Sequence, residues 1–449
     1  MTTRASGHAV AVIGGATAGA EVAGSLADRG ATVVVFEQNR RPFGKIEDGL
    51  PRWHVALRRK EYEVIEAKLS RPGVHFVPHT RLGRDLDFHD LTSNWGFHAV
   101  VLANGAWRDR PLPVEGADDF VGRGLVYQNP FVIAFNHAED PAWEGPRHEI
   151  PDGALVVGGG LASIDVVKIL MLETTRAALR ARGIEQDLIE LEVKGIPKAL
   201  EAHGLRFEEL GLRGATLFYR RTSADMPLME MPEGAPPARQ EKVRQGRVRM
   251  LEKARSKYLF DFEPLASPEG LLVEDGRLAG LRFRRNRMEE GRPVPTDERF
   301  DRRGSLVISS IGSIPEPIPG IPRKGELYAF TDWDVGRLEG YPTVFSAGNV
   351  VTGKGNIVAS RKHAARVQAV VEHFLGLAPG GSHEGEEAML DPVRKEARRL
   401  AERVLRDLAP SPPLSTGETE ALLRRVGERQ RAVGYDGDLA AWIAAAPPV

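Results

Sequence analysis

The chain has no cysteine, and that one absence removes several chemistries. Structural disulfides, thiolate-held iron–sulfur clusters, cysteine zinc sites and redox-active dithiols all need the missing thiol. An excess of either charge is also lacking. Lys and Arg number 61 against 62 Asp and Glu, a formal net charge of −1, so no global field draws the molecule to nucleic acid or an anionic membrane. No apolar run approaches the ~18 residues of a membrane helix. Residues 9–20 loosely match the apolar part of a secretory signal, but Gly14, Gly15 and Gly19 weaken it and the pattern runs on into a strand. A cytoplasmic protein is expected, with any electrostatic partner site a local one. At 449 residues, 42% hydrophobic and 27% charged, the chain exceeds what one core usually organises, so two or three domains are expected.

What is present is alternation. "HAVAVIGG" leads into helical spacing from about Thr17 to Arg29 and then into "ATVVVFEQ". "HAVVLANG" (98–105), "GALVVGGG" (153–160), a helix from about Ala162 to Arg182 and "GATLFYRR" (214–221) continue the pattern. Such alternation argues for parallel sheets in α/β layers, with strands of continuous Val, Leu and Ile buried on both faces. The strand–glycine–helix–strand arrangement begins twice, near residues 9 and 154, which points to two nucleotide-binding domains. After Arg221, "MPLMEMPEGAPPARQ" reads as a loop and "VEDGRLAGLRFRRNRMEEGRPV" as a β excursion. Near 305 the α/β character resumes. The fold class expected is α/β with two Rossmann-like domains, the second (123–304) inserted in the first (1–122 and 305–379), followed by a small helical extension over 380–449.

The two glycine loops differ in what they demand. The first carries Gly14-Gly15-Ala16-Thr17-Ala18-Gly19, with Gly14 and Gly19 at the first and third positions of the G-x-G-x-x-G fingerprint and Ala16 at the second. Ala16 adds a small steric cost if its φ is negative, and the helix start still offers free N–H groups to a pyrophosphate. Glu37 closes the next strand, where a carboxylate hydrogen-bonds a ribose hydroxyl and repels a 2′-phosphate. This site should therefore take FAD or NAD. The second loop carries Gly158, Gly159, Gly160, Leu161, Ala162 and Ser163, with Ser163 replacing the third glycine. At the end of its following strand stand Arg220 and Arg221, which grip a 2′-phosphate by forked, charge-assisted bonds. The reading is FAD first and NADPH second. Alone, the first loop reads almost as well as a plain glycine turn, and the arginine pair can be read as a solvated strand end; the contrast between them favours two ligands.

At this point the chain resembles the flavoproteins with two dinucleotide-binding domains, and among them adrenodoxin reductase and bacterial ferredoxin–NADP reductases, over roughly residues 8–375. Besides the loops, the likeness is carried by "RPFGKIEDGLPRWH" (41–54), "YQNPFVIAFNHAED" (127–140) and "FSAGNVVTGKGNIVASRKHA" (345–364). The resemblance implies that Gly44, Lys45, Gly105, Gly348 and Asn349 contact a cofactor. It also implies that Asn356, Ile357 and Val358 open a helix aimed at the flavin, where a positive helix end favours developing anionic charge. His54 matches a histidine near the flavin that supplies a proton or fixes a water, and Glu230 an acid touching the nicotinamide end. The family usually has Trp where Asn349 stands and Pro where Lys354 stands.

The function implied is an NADPH-dependent FAD reductase that passes electrons to a ferredoxin-like carrier, since a chain without cysteine holds no such cluster itself. An acidic carrier suits a basic face, and "RQEKVRQGRVRMLEKARSK" (239–257) offers one around Arg244, Arg247 and Arg249. An exposed helix with ordinary solvating charge is the plainer alternative. Two other functions stay open: a flavin oxidase or monooxygenase acting on a small substrate, and a non-catalytic flavoprotein subunit.

Overall fold

A computed structural model describes residues 6–140, 143–232, 234–352, 372, 375–377 and 389–448. Along the chain come β1 (Ala9–Ile13), α1 (Thr17–Ala27), β2 (Thr32–Phe36), α2 (Val55–Leu69), β3 (Val74–Val77), β4 (Ala99–Leu102) and β5 (Leu125–Tyr127). Next are α3 (Gln128–Asn136), β6 (Leu155–Gly158), α4 (Leu161–Arg180), β7 (Thr216–Phe218), α5 (Pro237–Tyr258) and β8 (Asp261–Glu263). Three long strands follow, β9 (Ala266–Glu274), β10 (Arg277–Glu289) and β11 (Arg292–Arg303), then β12 (Val307–Ser310) and β13 (Val344–Ser346). The chain closes with α6 (Asp391–Leu408), α7 (Thr416–Ala432) and α8 (Leu439–Ala444). No helix among the described residues is long and apolar enough to cross a membrane.

The first sheet has the order β13-β4-β1-β2-β3 and the second β5-β12-β6-β7-β8, and every pairing within them is parallel. The uninterrupted apolar strands explain this, because each face is buried under its own layer. In β1, Val10 and Val12 join one core with Ala20 and Ala23 of α1. Ala9, Ala11 and Ile13 join another on the opposite face. The same two-residue period divides Val156 and Leu217 from Leu155 and Phe218 in the second sheet. The β excursion is a three-stranded antiparallel sheet, β9-β10-β11.

The C-terminal helices wrap the first sheet from both sides. Ala397, Leu400, Ala401 and Val404 of α6 share the core of α1, whose alanines and glycines let the two helices approach closely. On the far face, Leu422 and Val426 of α7 enter the other core, and the Arg425 guanidinium lies 3.9 Å from the Trp95 ring centre.

Candidate active site

In a parallel sheet, ligands gather beyond the carboxyl ends of the strands, where the strand order reverses. In the first sheet that point lies between β1 and β4, and in the second between β6 and β12. The loops leaving these strands all line one cavity of about 1510 Å³. Pockets for single small ligands usually hold ~300–1,000 Å³, so this one has room for two dinucleotides meeting end to end.

Around the first loop the glycines are enforced by contact. Gly14 has φ +99°, and a Cβ there would lie 2.6 Å from the Ala103 carbonyl oxygen; at Gly19 it would lie 1.9 Å from that of Gly14. Ala16 has φ −72°, so its methyl costs no backbone strain. That methyl would sit 2.9 Å from any Cβ on Gly44, which itself has φ +48°. Gly44 thus stays glycine partly because residue 16 is alanine. No side chain caps α1, whereas Asp187 and Ser415 cap the helices that follow them; the first N–H groups of α1 are left for an anion. Glu37 is 4% exposed and lies on the cavity wall. Its two oxygens accept from the Gly15 N–H at 2.8 Å and the Asn39 N–H at 2.9 Å. Burial outweighs these bonds and pushes its carboxyl up to about 7.

The second loop is built differently. A Cβ on Gly158 would collide with Ser163 Oγ at 2.2 Å and the Ser310 carbonyl oxygen at 2.3 Å, and one on Gly159 with the Tyr219 ring at 2.2 Å. Gly160 would meet no protein atom within 4 Å, lies on the cavity wall, and leaves α4 without a side-chain cap. A glycine that nothing in the protein requires fits one that a ligand requires. Ser163 is fully buried and donates to the Ser310 carbonyl oxygen at 2.9 Å, so it ties helix to strand where a glycine would otherwise let them close up. Arg220 is exposed and Arg221 half-buried; both line the cavity. The Nε of Arg221 is buried with no hydrogen-bond partner, a donor that fits a phosphate.

Between the loops, Lys45 Nζ donates to Ser313 Oγ at 3.0 Å and Asn129 Oδ1 at 3.3 Å. Burial lowers its ammonium to about 8, while burial raises neighbouring Asp109 to about 6. Asn104 and Asn349, both on the wall, each have a buried Oδ1 without a partner, which fits a polar ligand lying against them. Gly105 (φ +71°) and Gly348 (φ +73°) are also on the wall, in the left-handed backbone region that favours glycine.

The remaining expected residues divide. Ala18, Leu161, Ala162 and the exposed Glu230 line the cavity. His54 is fully buried and is not among the wall residues; its Nε2 accepts from Trp53 Nε1 at 3.1 Å. Asn356, Ile357 and Val358 lie outside the described residues. The basic patch needs correction. Arg244 and Arg249 are exposed, but Arg247 is 9% exposed, turned onto the cavity wall. Its guanidinium donates to the Met229 carbonyl oxygen at 2.5 Å and that of Ala224 at 3.2 Å. A helix face with apolar spacing turns every third or fourth residue inward, and residue 247 falls on that stripe with Val243, Met250 and Leu251. Sequence reasoning missed Asn104, Asp109, Asn129 and Thr17. "ANG" after a buried strand could have signalled the first; Thr17 stands inside the first glycine loop and Asn129 inside the 127–140 segment, while Asp109 had no local mark.

No protein-family model matches the chain, but individual proteins do. It is 25% identical over 406 residues to the mitochondrial NADPH:adrenodoxin oxidoreductase of Arabidopsis thaliana, covering 79% of this chain and 80% of that one. Identity reaches 34% over 408 residues with the glutamate synthase (NADPH) small chain of Mycobacterium tuberculosis, covering 88% and 71%. Mycobacterium tuberculosis FprA, solved in complex with NADPH, matches with a TM-score of 0.66 at 18% identity, over 94% of this chain and 90% of that one, which is a likeness of fold. The chain belongs to the NADPH oxidoreductases with two dinucleotide-binding domains, the family of adrenodoxin reductase and the glutamate synthase small chain.

Proposed function

We propose that the chain is an FAD-containing reductase that takes electrons from NADPH and delivers them to a ferredoxin-like iron–sulfur carrier. The observation behind this reading is the single cavity that joins two glycine loops with opposite electrostatic endings, Glu37 at one and Arg220 with Arg221 at the other. Residues 1–122 and 305–379 would serve FAD and 123–304 NADPH. When bound, the flavin supplies the exchange between a two-electron donor and a one-electron acceptor.

The chain's own residues do the binding and orienting. The uncapped start of α1 would hold the FAD pyrophosphate, and Glu37 would accept from a ribose hydroxyl. The start of α4 would hold the NADPH pyrophosphate, with Arg220 and Arg221 on its 2′-phosphate. Glu230 would meet the nicotinamide end. His54 has its Nε2 taken by Trp53, and the Trp53 ring also faces the buried Lys168 ammonium at 4.6 Å. Through that bond His54 would hold Trp53 in place, beside the proton supply or water-fixing that the resemblance implies.

The acceptor would dock against Arg244 and Arg249. Reversing both charges should slow ferredoxin reduction and weaken its salt dependence, with NADPH oxidation by a small neutral dye unchanged. Equal rates with ferredoxin would remove the patch from the account. The similarity to a small chain favours a second reading in which a larger partner chain holds the iron–sulfur acceptor. A reductase that is slow with every free ferredoxin and fast only in a stable complex would mark that case.

A further inference from the structure

Two buried carboxylates of the first sheet's helices find their counterions on the C-terminal extension. Glu61 of α2 is fully buried; it accepts from Thr17 Oγ1 at 3.3 Å and is ion-paired with Arg394 of α6. Thr17 is the first residue of α1 and lies on the cavity wall. Arg394 therefore reaches, through one carboxylate, the turn that presents free N–H groups to the cavity. One helical turn further on, Arg398 pairs at 2.6 Å with Glu21 of α1, which is also held by Lys68 at 2.8 Å. Burial pushes the Glu21 carboxyl up, but the two cations outweigh it and hold it below its ordinary value.

The extension also reaches the cavity directly. Met389, Leu390 and Val393 are wall residues, and Met389 and Val393 are buried. Residues 389–398 thus supply part of the cavity wall and, in Arg394, a cation for the buried Glu61 carboxylate. Removing one partner of a buried ion pair leaves an uncompensated charge, so loss of the Arg394 guanidinium would disturb the carboxylate that accepts from Thr17.

We infer that residues 389–398 are a working part of the flavin site: Met389, Leu390 and Val393 close its wall, and Arg394, through Glu61, positions Thr17, so that the extension sets how slowly FAD leaves. Arg394 is a positioning residue here. The inference rests on the reading of the first loop as the FAD site.

The test is the rate of FAD release from the intact protein, read as recovery of flavin fluorescence after dilution. The Met389→Ala/Val393→Ala double variant should release FAD about tenfold faster or more, because a ligand loses packed apolar wall. Val404→Ala makes the same truncation as Val393→Ala on the same helix, away from the wall, and should leave the rate unchanged although it lowers the unfolding midpoint. Arg394→Gln should also speed release, and Arg394→Lys, which keeps the charge, should recover most of the loss. Release unchanged in the wall variant, or accelerated equally by Val404→Ala, would overturn the inference while the flavin reading stood. A purified, unaltered protein with no flavin would overturn both.

Discussion

Replacing Gly160 by alanine separates a glycine kept for a ligand from one kept for the fold. Its backbone, φ −88° and ψ 178°, is open to any residue, and the added methyl meets no protein atom within 4 Å. Folding stability of the ligand-free protein should hold or rise by up to ~1 kcal/mol, since alanine narrows the unfolded ensemble. Binding should suffer, because the methyl stands where backbone would approach the NADPH pyrophosphate. A loss of about 1.4 kcal/mol, or roughly tenfold in affinity, is the least expected. Gly158→Ala should behave in the opposite way. Its methyl would strike Ser163 Oγ at 2.2 Å and the Ser310 carbonyl oxygen at 2.3 Å, so overpacking should cost ~1–3 kcal/mol of stability. The first loop already carries a methyl at the corresponding place, but there it packs toward Gly44. Thermal unfolding without ligand and NADPH titration by fluorescence measure the two quantities. If Gly160→Ala binds NADPH as tightly as the unaltered protein, the cradle argument is refuted.

Two further outcomes follow from buried charge. Arg221→Ala removes a guanidinium whose Nε has no partner in the protein, so stability should change little, while affinity for NADPH falls ~10–100-fold and that for NADH does not. Equal losses for both nucleotides would place the arginine elsewhere. Glu37 has a carboxyl raised from 4.5 to about 7. The folded state thus keeps a proton that the unfolded state has released, and its stability contribution is full below pH 4.5 and lost as the pH rises through 7. Between those values the FAD-free protein should lose up to about 3 kcal/mol in urea unfolding, and Glu37→Gln should flatten the slope. The same slope in both proteins would contradict this.

Much of the architecture was legible in the residues because it is locally encoded. Continuous apolar strands separated by helical spacing specify parallel sheets, and Glu37 and the Arg220–Arg221 pair stand at the ends of the strands that follow their loops, on the cavity wall. What was not legible depended on contacts between distant segments. Lys45 meets Asn129 and Ser313, and Arg394 meets Glu61; no spacing rule connects such positions. Arg247 shows a different failure. Counting basic residues in a string predicted an exposed patch, yet the helical period placed that arginine with Val243 and Met250 on the buried side. The extension over 380–449 looked like an appendix because its charge-rich helices have no motif. Its inward stripe of Val393, Ala397, Leu400, Ala401 and Val404 needed the alanine-rich face of α1 to give it meaning.

The central claim is that one cavity brings NADPH to FAD and that the electrons then leave for an iron–sulfur carrier. The most direct measurement is anaerobic mixing of the purified protein with NADPH, followed by oxidised ferredoxin, while the visible flavin absorption is recorded. The account expects a yellow protein that NADPH bleaches, faster than NADH does, and that ferredoxin restores. A colourless protein that releases no FAD on denaturation, or a flavin that NADPH leaves oxidised, would contradict it.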